Sequence, residues 1–274
     1  MSLNVQIKAL RHAFGAKTVL NGISFEVKEG EIFSLIGPNG AGKTTTLRCL
    51  YGDIFPDGGS ILLNGQRVSS KLKEKIAVVT ESRFSFSRFT GEDYIKLWKA
   101  LYPSWDEKVF GSFINHYHFE LQARADTYSM GWKTLLNLAL AFSSGADLLI
   151  LDEPTQNLDP LIRQEVLNIL HTFVAREGKT IIISSHEIFE LEEITSSFAV
   201  LREGDILYTD HLDDAKENHR IVSQSEKVSY GEVIGLVKNE TLIRTTEEVG
   251  RYPTFQEIIL GYLQGKTRFL PFSR

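Results

Sequence analysis

Residues 37 to 44 read Gly-Pro-Asn-Gly-Ala-Gly-Lys-Thr, which matches the pattern G-x-x-x-x-G-K-[ST] with an extra glycine at Gly40. Glycines let a backbone curl until several N–H groups face one phosphate chain, and a following helix start adds positive potential. Lys43 would then neutralise the β and γ phosphates of a nucleoside triphosphate, and the Thr44 hydroxyl would hold Mg²⁺. The phosphate-binding set read from this stretch is Gly37, Pro38, Asn39, Gly40, Ala41, Gly42, Lys43, Thr44 and Thr45. A second stretch, Leu148-Leu-Ile-Leu-Asp152-Glu153, is an apolar strand ending in two carboxylates. Asp152 is suited to hold Mg²⁺ through water, and Glu153, one residue further, to polarise the attacking water. A glycine-rich turn and a buried strand ending in acids are each usually structural when met alone. Their order in one chain points to triphosphate chemistry.

These residues need elements to carry them. Gly30 to Gly37 reads as a turn and a short buried strand, and Lys43 to Tyr51 as the helix after it. Gly58 to Gly65 is hairpin-like, and Lys75 to Thr80 is another strand. The periodicity then changes. Thr90 with Asp93 forms a capping arrangement before Ile95, Leu97, Trp98 and Leu101, and Ser104 with Glu107 reads as a capping box for a second helix. A third helix is expected from about Trp132 to Ser143, so residues 86 to 144 read as a helical insertion. Strand, helix and strand alternate from Asp147 onward, which argues for a mainly parallel sheet covered by helices. Beyond about Ala215 the pattern weakens to two short strands and a last helix capped by Thr254 and Glu257.

Composition narrows the rest. The 274 residues are 42% hydrophobic and 24% charged, with a formal net charge of −5. That balance suits a globular chain and gives no reason to expect a nucleic-acid partner, which usually needs a basic face. The single cysteine, Cys49, permits no internal disulfide and reads as a small buried side chain. No apolar run approaches the roughly 18 residues of a membrane helix, and the first residues lack a secretion signal.

Further along, Asp152-Glu-Pro-Thr is followed by Asn157-Leu-Asp159-Pro and by a histidine ending the run Ile181-Ile-Ile-Ser-Ser-His186. In this order the motifs closely resemble the ATPase subunit of ABC transporters over about residues 5 to 210. The resemblance implies an α/β P-loop NTPase core of RecA-like type, with an antiparallel β subdomain, a helical subdomain and a small C-terminal α+β annex. It implies an ATPase domain over 1–214 and an extension over 215–274. It further implies that Phe14 stacks on adenine, that His186 senses the γ-phosphate, and that Asp159 contacts a partner subunit. The cofactors would be ATP and Mg²⁺. The partners would be a second ATPase subunit, identical or related, and a separate integral membrane permease that holds the chain at the inner face of the cell membrane.

Two elements depart from the family pattern. The glutamine usual after the strand at 75–80 is Glu81, a carboxylate that can still coordinate Mg²⁺ or water but adds negative charge beside the phosphates. The signature, usually L-S-G-G-Q, reads Tyr128-Ser-Met-Gly-Trp132, keeping Ser129 and Gly131 for the partner's γ-phosphate. The Tyr-Ser-Met-Gly segment resembles bacterial ATPases that serve separately encoded exporter-type permeases. Two other readings stay open here, a non-transport ATPase of the same family and a regulatory subunit that hydrolyses weakly. His116 and His118 do not share a helix face and read as ordinary surface histidines. Phe84, Phe86 and Phe89 read as core or interface packing.

Overall fold

The computed structural model describes residues 3–82, 88–223 and 231–265, and only the backbone of Glu190. Phe84 and Phe86 lie outside these residues. The chain opens with β1 (Val5–Phe14) and β2 (Lys17–Val27), which pair antiparallel, then β3 (Ile32–Ile36) and α1 (Lys43–Leu50). Next come β4 (Gly58–Leu63), β5 (Gln66–Arg67), the single turn α2 (Ser70–Lys73) and β6 (Ile76–Val79). The helical region holds α3 (Gly91–Leu101), α4 (Glu107–Tyr117) and α5 (Met130–Ser143). It is followed by β7 (Leu148–Asp152), α6 (Pro160–Glu177), β8 (Thr180–Ser185), α7 (Ile188–Leu191), β9 (Ser197–Arg202) and β10 (Asp205–His211). The C-terminal part is α8 (Leu212–Glu217), β11 (His219–Ser223), β12 (Glu232–Val237), β13 (Glu240–Arg244) and α9 (Phe255–Gln264). Of these, α8 and β11 carried no clear signal in the sequence, and α8 crosses residue 215.

Six strands form the main sheet in the order β10-β9-β3-β8-β7-β6, and β10 alone runs antiparallel to its neighbour. Its inner strands read as continuous apolar runs because both faces are covered. Side chains alternate between two cores. Ile32 and Ile36, with Leu149 and Leu151, pack toward the helical region. Phe33 and Leu35, with Leu148 and Ile150, pack toward α1 and the antiparallel sheet β2-β1-β4-β5. The same period of two therefore places one strand residue in the core that holds Leu136 and the next in the core that holds Leu47. The C-terminal sheet β11-β13-β12 is tied to the main body through α9, whose Phe255 ring meets Phe198 of β9 edge-to-face at 4.9 Å.

The capping signals mostly hold. Thr90 and Asp93 form a full capping box on α3, as do Thr254 and Glu257 on α9. The Ser104–Glu107 box does not form. Asp106 caps α4 instead, accepting from the N–H groups of Lys108 and Val109 at 2.8 and 3.0 Å. Glu107 is already engaged by Trp105 Nε1 at 2.8 Å and Lys99 Nζ at 2.7 Å, so it does not reach back to a cap.

Candidate nucleotide site

Four parallel strands, β3, β8, β7 and β6, end on the same edge of the sheet, and the loop 37–42, Glu153, His186 and Glu81 follow those ends. From β3 the chain passes into the loop 37–42. A Cβ at Gly37 would lie 2.1 Å from the Leu201 carbonyl oxygen on β9, so this position admits only glycine. At Gly42 the backbone turns left-handed, with φ of 111°, and immediately enters α1. Lys43 is buried in the first turn of α1. Its Nζ donates to the carbonyls of Gly37 at 2.7 Å and Pro38 at 3.3 Å and lies 3.5 Å from Glu153 Oε1. Thr44 is exposed beside it, and Thr45 is half-buried.

At the end of β7, Asp152 is buried and its Oδ1 accepts from the Ser184 hydroxyl of β8. Glu153 follows in the left-handed region, with φ of 51°, a conformation that costs a non-glycine residue and persists only where its surroundings enforce it. They do so here, because the Glu153 N–H donates to both the carbonyl and the hydroxyl of Ser184 at 3.2 Å. The turned backbone aims the carboxylate at two groups from other strands. Oε1 faces Lys43, and Oε2 lies 2.9 Å from His186 Nδ1 at the end of β8. The second histidine nitrogen, Nε2, is 3.7 Å from Glu187 Oε1.

A cleft of about 730 Å³ opens over this trio. Of the residues singled out in the sequence, Phe14, Asn39, Gly40, Ala41, Gly42, Lys43, Thr44, Thr45, Glu81, Glu153 and His186 line it. Gly37 and Pro38 do not line it but contribute the carbonyls that hold Lys43, and Asp152, which is buried, does not line it either. Phe14 is half exposed, with its ring edge-on to His12 at 4.7 Å. The cleft also recruits Lys17, Thr18, Val19, Gln156 and Glu203, which sequence reasoning missed. Glu203-Gly204 carries a turn signal, but nothing local says that this turn abuts the loop, with the Gly204 N–H donating to Ala41 O at 3.0 Å.

Ser129, Gly131 and Asp159 are elsewhere. They line a separate depression of about 460 Å³, together with Met130, Trp132 and Asn157. Each of the polar two already caps a helix. Ser129 Oγ accepts from Trp132 N at 3.2 Å, and Asp159 Oδ1 accepts from the N–H groups of Leu161 and Ile162 at 3.1 Å. Gly131 is not demanded by backbone or packing, since a Cβ there meets nothing closer than Asn157 O at 3.4 Å. One chain thus brings the loop, Glu153 and His186 together but leaves the signature segment facing outward.

The groups expected to hold a cation are the Thr44 hydroxyl and the carboxylates of Asp152 and Glu81, of which Thr44 and Glu81 line the cleft and Asp152 does not. All are oxygens, the set Mg²⁺ prefers, and too few for a protein cage. Among the described residues no cluster of three or more histidine, cysteine or acidic side chains is poised for a metal. His116 Nε2 pairs instead with Glu165 Oε1 at 2.6 Å. Cys49 is buried on α1, and burial, with Asp57 nearby, pushes its thiol up to about 11, so it stays protonated and inert.

Residues 20–156, half of the chain, match the protein family described as ABC transporter. The chain belongs to the ABC transporter family. It is 30% identical over 217 residues to the ABC transporter ATP-binding protein YtrB of Bacillus subtilis, covering 78% of this chain and 74% of that one. The lantibiotic transport ATP-binding protein SrtF of Streptococcus pyogenes is 30% identical over 213 residues, covering 77% of this chain and 93% of SrtF. A solved ATP-binding subunit of an ABC transporter superposes with a TM-score of 0.70 at 28% identity, covering 77% and 91% of the two chains. Within the ABC transporter family this chain is the ATPase subunit, on an α/β P-loop NTPase fold. No helix among the described residues is long and apolar enough to cross a membrane.

Proposed function

We propose that the cleft binds ATP with Mg²⁺ and that two such subunits close on each other to drive a separate membrane permease. The observation that carries this reading is the meeting of Lys43, Glu153 and His186 across three strands, with 3.5 and 2.9 Å between them. Lys43 and the N–H groups of residues 39 to 45 hold the phosphates, as an anion site at a helix start should. Phe14 stacks on the adenine. Glu153 accepts the proton of the attacking water, and His186 orients that carboxylate and meets the γ-phosphate. Thr44, Asp152 and Glu81 hold Mg²⁺, which supplies charge neutralisation at the β and γ oxygens when bound.

Ser129, Gly131 and Asp159 face outward in this reading because they serve the partner subunit's nucleotide. ATP favours the closed pair, since its γ-phosphate is gripped from both chains, and hydrolysis removes that grip. Residues 1–214 are the ATPase unit and 215–274 an extension of it. The chain rests on the inner face of the cell membrane through its permease. The name of the Nod factor export ATP-binding protein I of Paraburkholderia xenovorans, 34% identical over 215 residues, favours export. The test is Lys43→Ala, which removes the phosphate-balancing cation. ATP binding should fall to a small residue and turnover should vanish; undiminished turnover would overturn the assignment.

A further inference from the structure

We propose that Gln156 is a further catalytic residue, which orients the attacking water against Glu153; the idea rests on the ATPase reading above. Gln156 lies three residues beyond Glu153, and its N–H donates to the Glu153 carbonyl at 3.2 Å. This turn folds the chain back so that both side chains line the same cleft. Thr155 between them is buried, while Gln156 is half-buried at the cleft wall. Its amide makes no hydrogen bond among the described residues, whereas both Glu153 oxygens are already engaged by Lys43 and His186.

The chemistry asks for such a group. A water attacking the γ-phosphorus must hold its lone pair in line, so both of its hydrogens need acceptors. Glu153 takes one. A second carboxylate would suit the other poorly, because the cleft already carries Glu81 and Glu203 beside a polyanion. A neutral amide oxygen accepts the second hydrogen without adding charge. Among the amides lining the cleft, Asn39 belongs to the exposed tip of the phosphate loop, while Gln156 shares the turn of the base itself. In the step, the water oxygen bonds to the γ-phosphorus and its proton passes to Glu153. The bond from the γ-phosphorus to the bridging oxygen breaks, and that electron pair leaves on the β-phosphate of ADP. Gln156 keeps the remaining hydrogen bond throughout and gains or loses no proton.

The experiment compares Gln156→Met, which keeps length and loses the amide, with wild type in the full chain. It then adds the same change to Glu153→Gln, following single turnovers of ATP. One lost orienting hydrogen bond should lower kcat about tenfold while KM stays within about twofold. In the Glu153→Gln background the second change should cost less than about twofold, because there is no base left to orient toward. Unchanged kcat, a parallel loss in KM, or the full tenfold loss on top of Glu153→Gln would each overturn the proposal. If Gln156→Met does not fold, judged by its thermal midpoint, Gln156→Ala replaces it under the same criteria. Should Glu153→Gln itself turn over at the wild-type rate, the ATPase reading fails rather than the role of Gln156.

Discussion

Ser184→Ala tests how the two acids at the end of β7 are held. The Ser184 side chain is fully buried, and its hydroxyl donates to Asp152 Oδ1 while accepting from the Glu153 N–H at 3.2 Å. A hydrogen bond to a charged group contributes about 1.5–3 kcal/mol and a neutral one about 0.5–1.5 kcal/mol. The Glu153 N–H keeps the Ser184 carbonyl as a partner, also at 3.2 Å, so the second term belongs at its low end. The expected loss is therefore about 2–4 kcal/mol. In a chain of this size that lowers the melting temperature by roughly 5–15 °C. The assay is chemical and thermal unfolding of wild type, Ser184→Ala, Asp152→Asn and the double variant. With Asn at 152 the acceptor is neutral, so Ser184→Ala should cost only about 1 kcal/mol in that background. Turnover should fall with Ser184→Ala as well, since Glu153 loses part of what fixes its left-handed backbone. A Ser184→Ala protein within about 0.5 kcal/mol of wild type, or equal costs in both backgrounds, would refute the reasoning.

Phe14→Ala should weaken ATP by about 1–3 kcal/mol, the usual worth of a base stacked on an aromatic ring. Calorimetric titration with inorganic triphosphate, which has no ring, should show no such loss; an equal loss would contradict stacking. Glu153→Gln should cut turnover roughly 10²–10⁴-fold and trap an ATP-dependent dimer on a sizing column. Adding Gly131→Asp should abolish that dimer without harming the monomer. The new Cβ has room at 3.4 Å, and an acid in the first turn of α5 favours the helix. A dimer that survives would mean the signature segment no longer grips ATP. Glu257 is held down to about 2, first by its hydrogen bonds to Arg251 and against the effect of burial. A depressed carboxylate stabilises the fold in full above its ordinary value of 4.5 and loses that contribution as pH falls toward 2. The melting temperature of wild type should therefore drop more steeply between about pH 5 and pH 3 than that of Glu257→Gln; equal slopes would exclude the pair as an acid-sensitive tie.

By itself the sequence determined what short-range chemistry can encode. The loop 37–44 declares its phosphate role because glycine spacing, a lysine and a threonine are all adjacent. The β3 and β7 strands are legible because strands buried on both faces must be apolar throughout. Two capping boxes, at Thr90 and Thr254, are equally local. Tertiary structure alone decided who meets whom. Lys43 reaches Glu153 only because β3, β8 and β7 lie side by side, and Ser184 fixes both acids from the strand between them. Gln156, Lys17 and Glu203 enter the cleft through turns that bring separate segments to one rim, which no spacing rule reports. The cap of α4 moved to Asp106 because Trp105 and Lys99 had claimed Glu107. Likewise the segregation of Ser129, Gly131 and Asp159 into a second, outward depression follows from the packing of α5 against the chain at 157–159. A motif names the groups a site needs, but their distances are set by strand order and long-range packing, where sequence separation carries no metric.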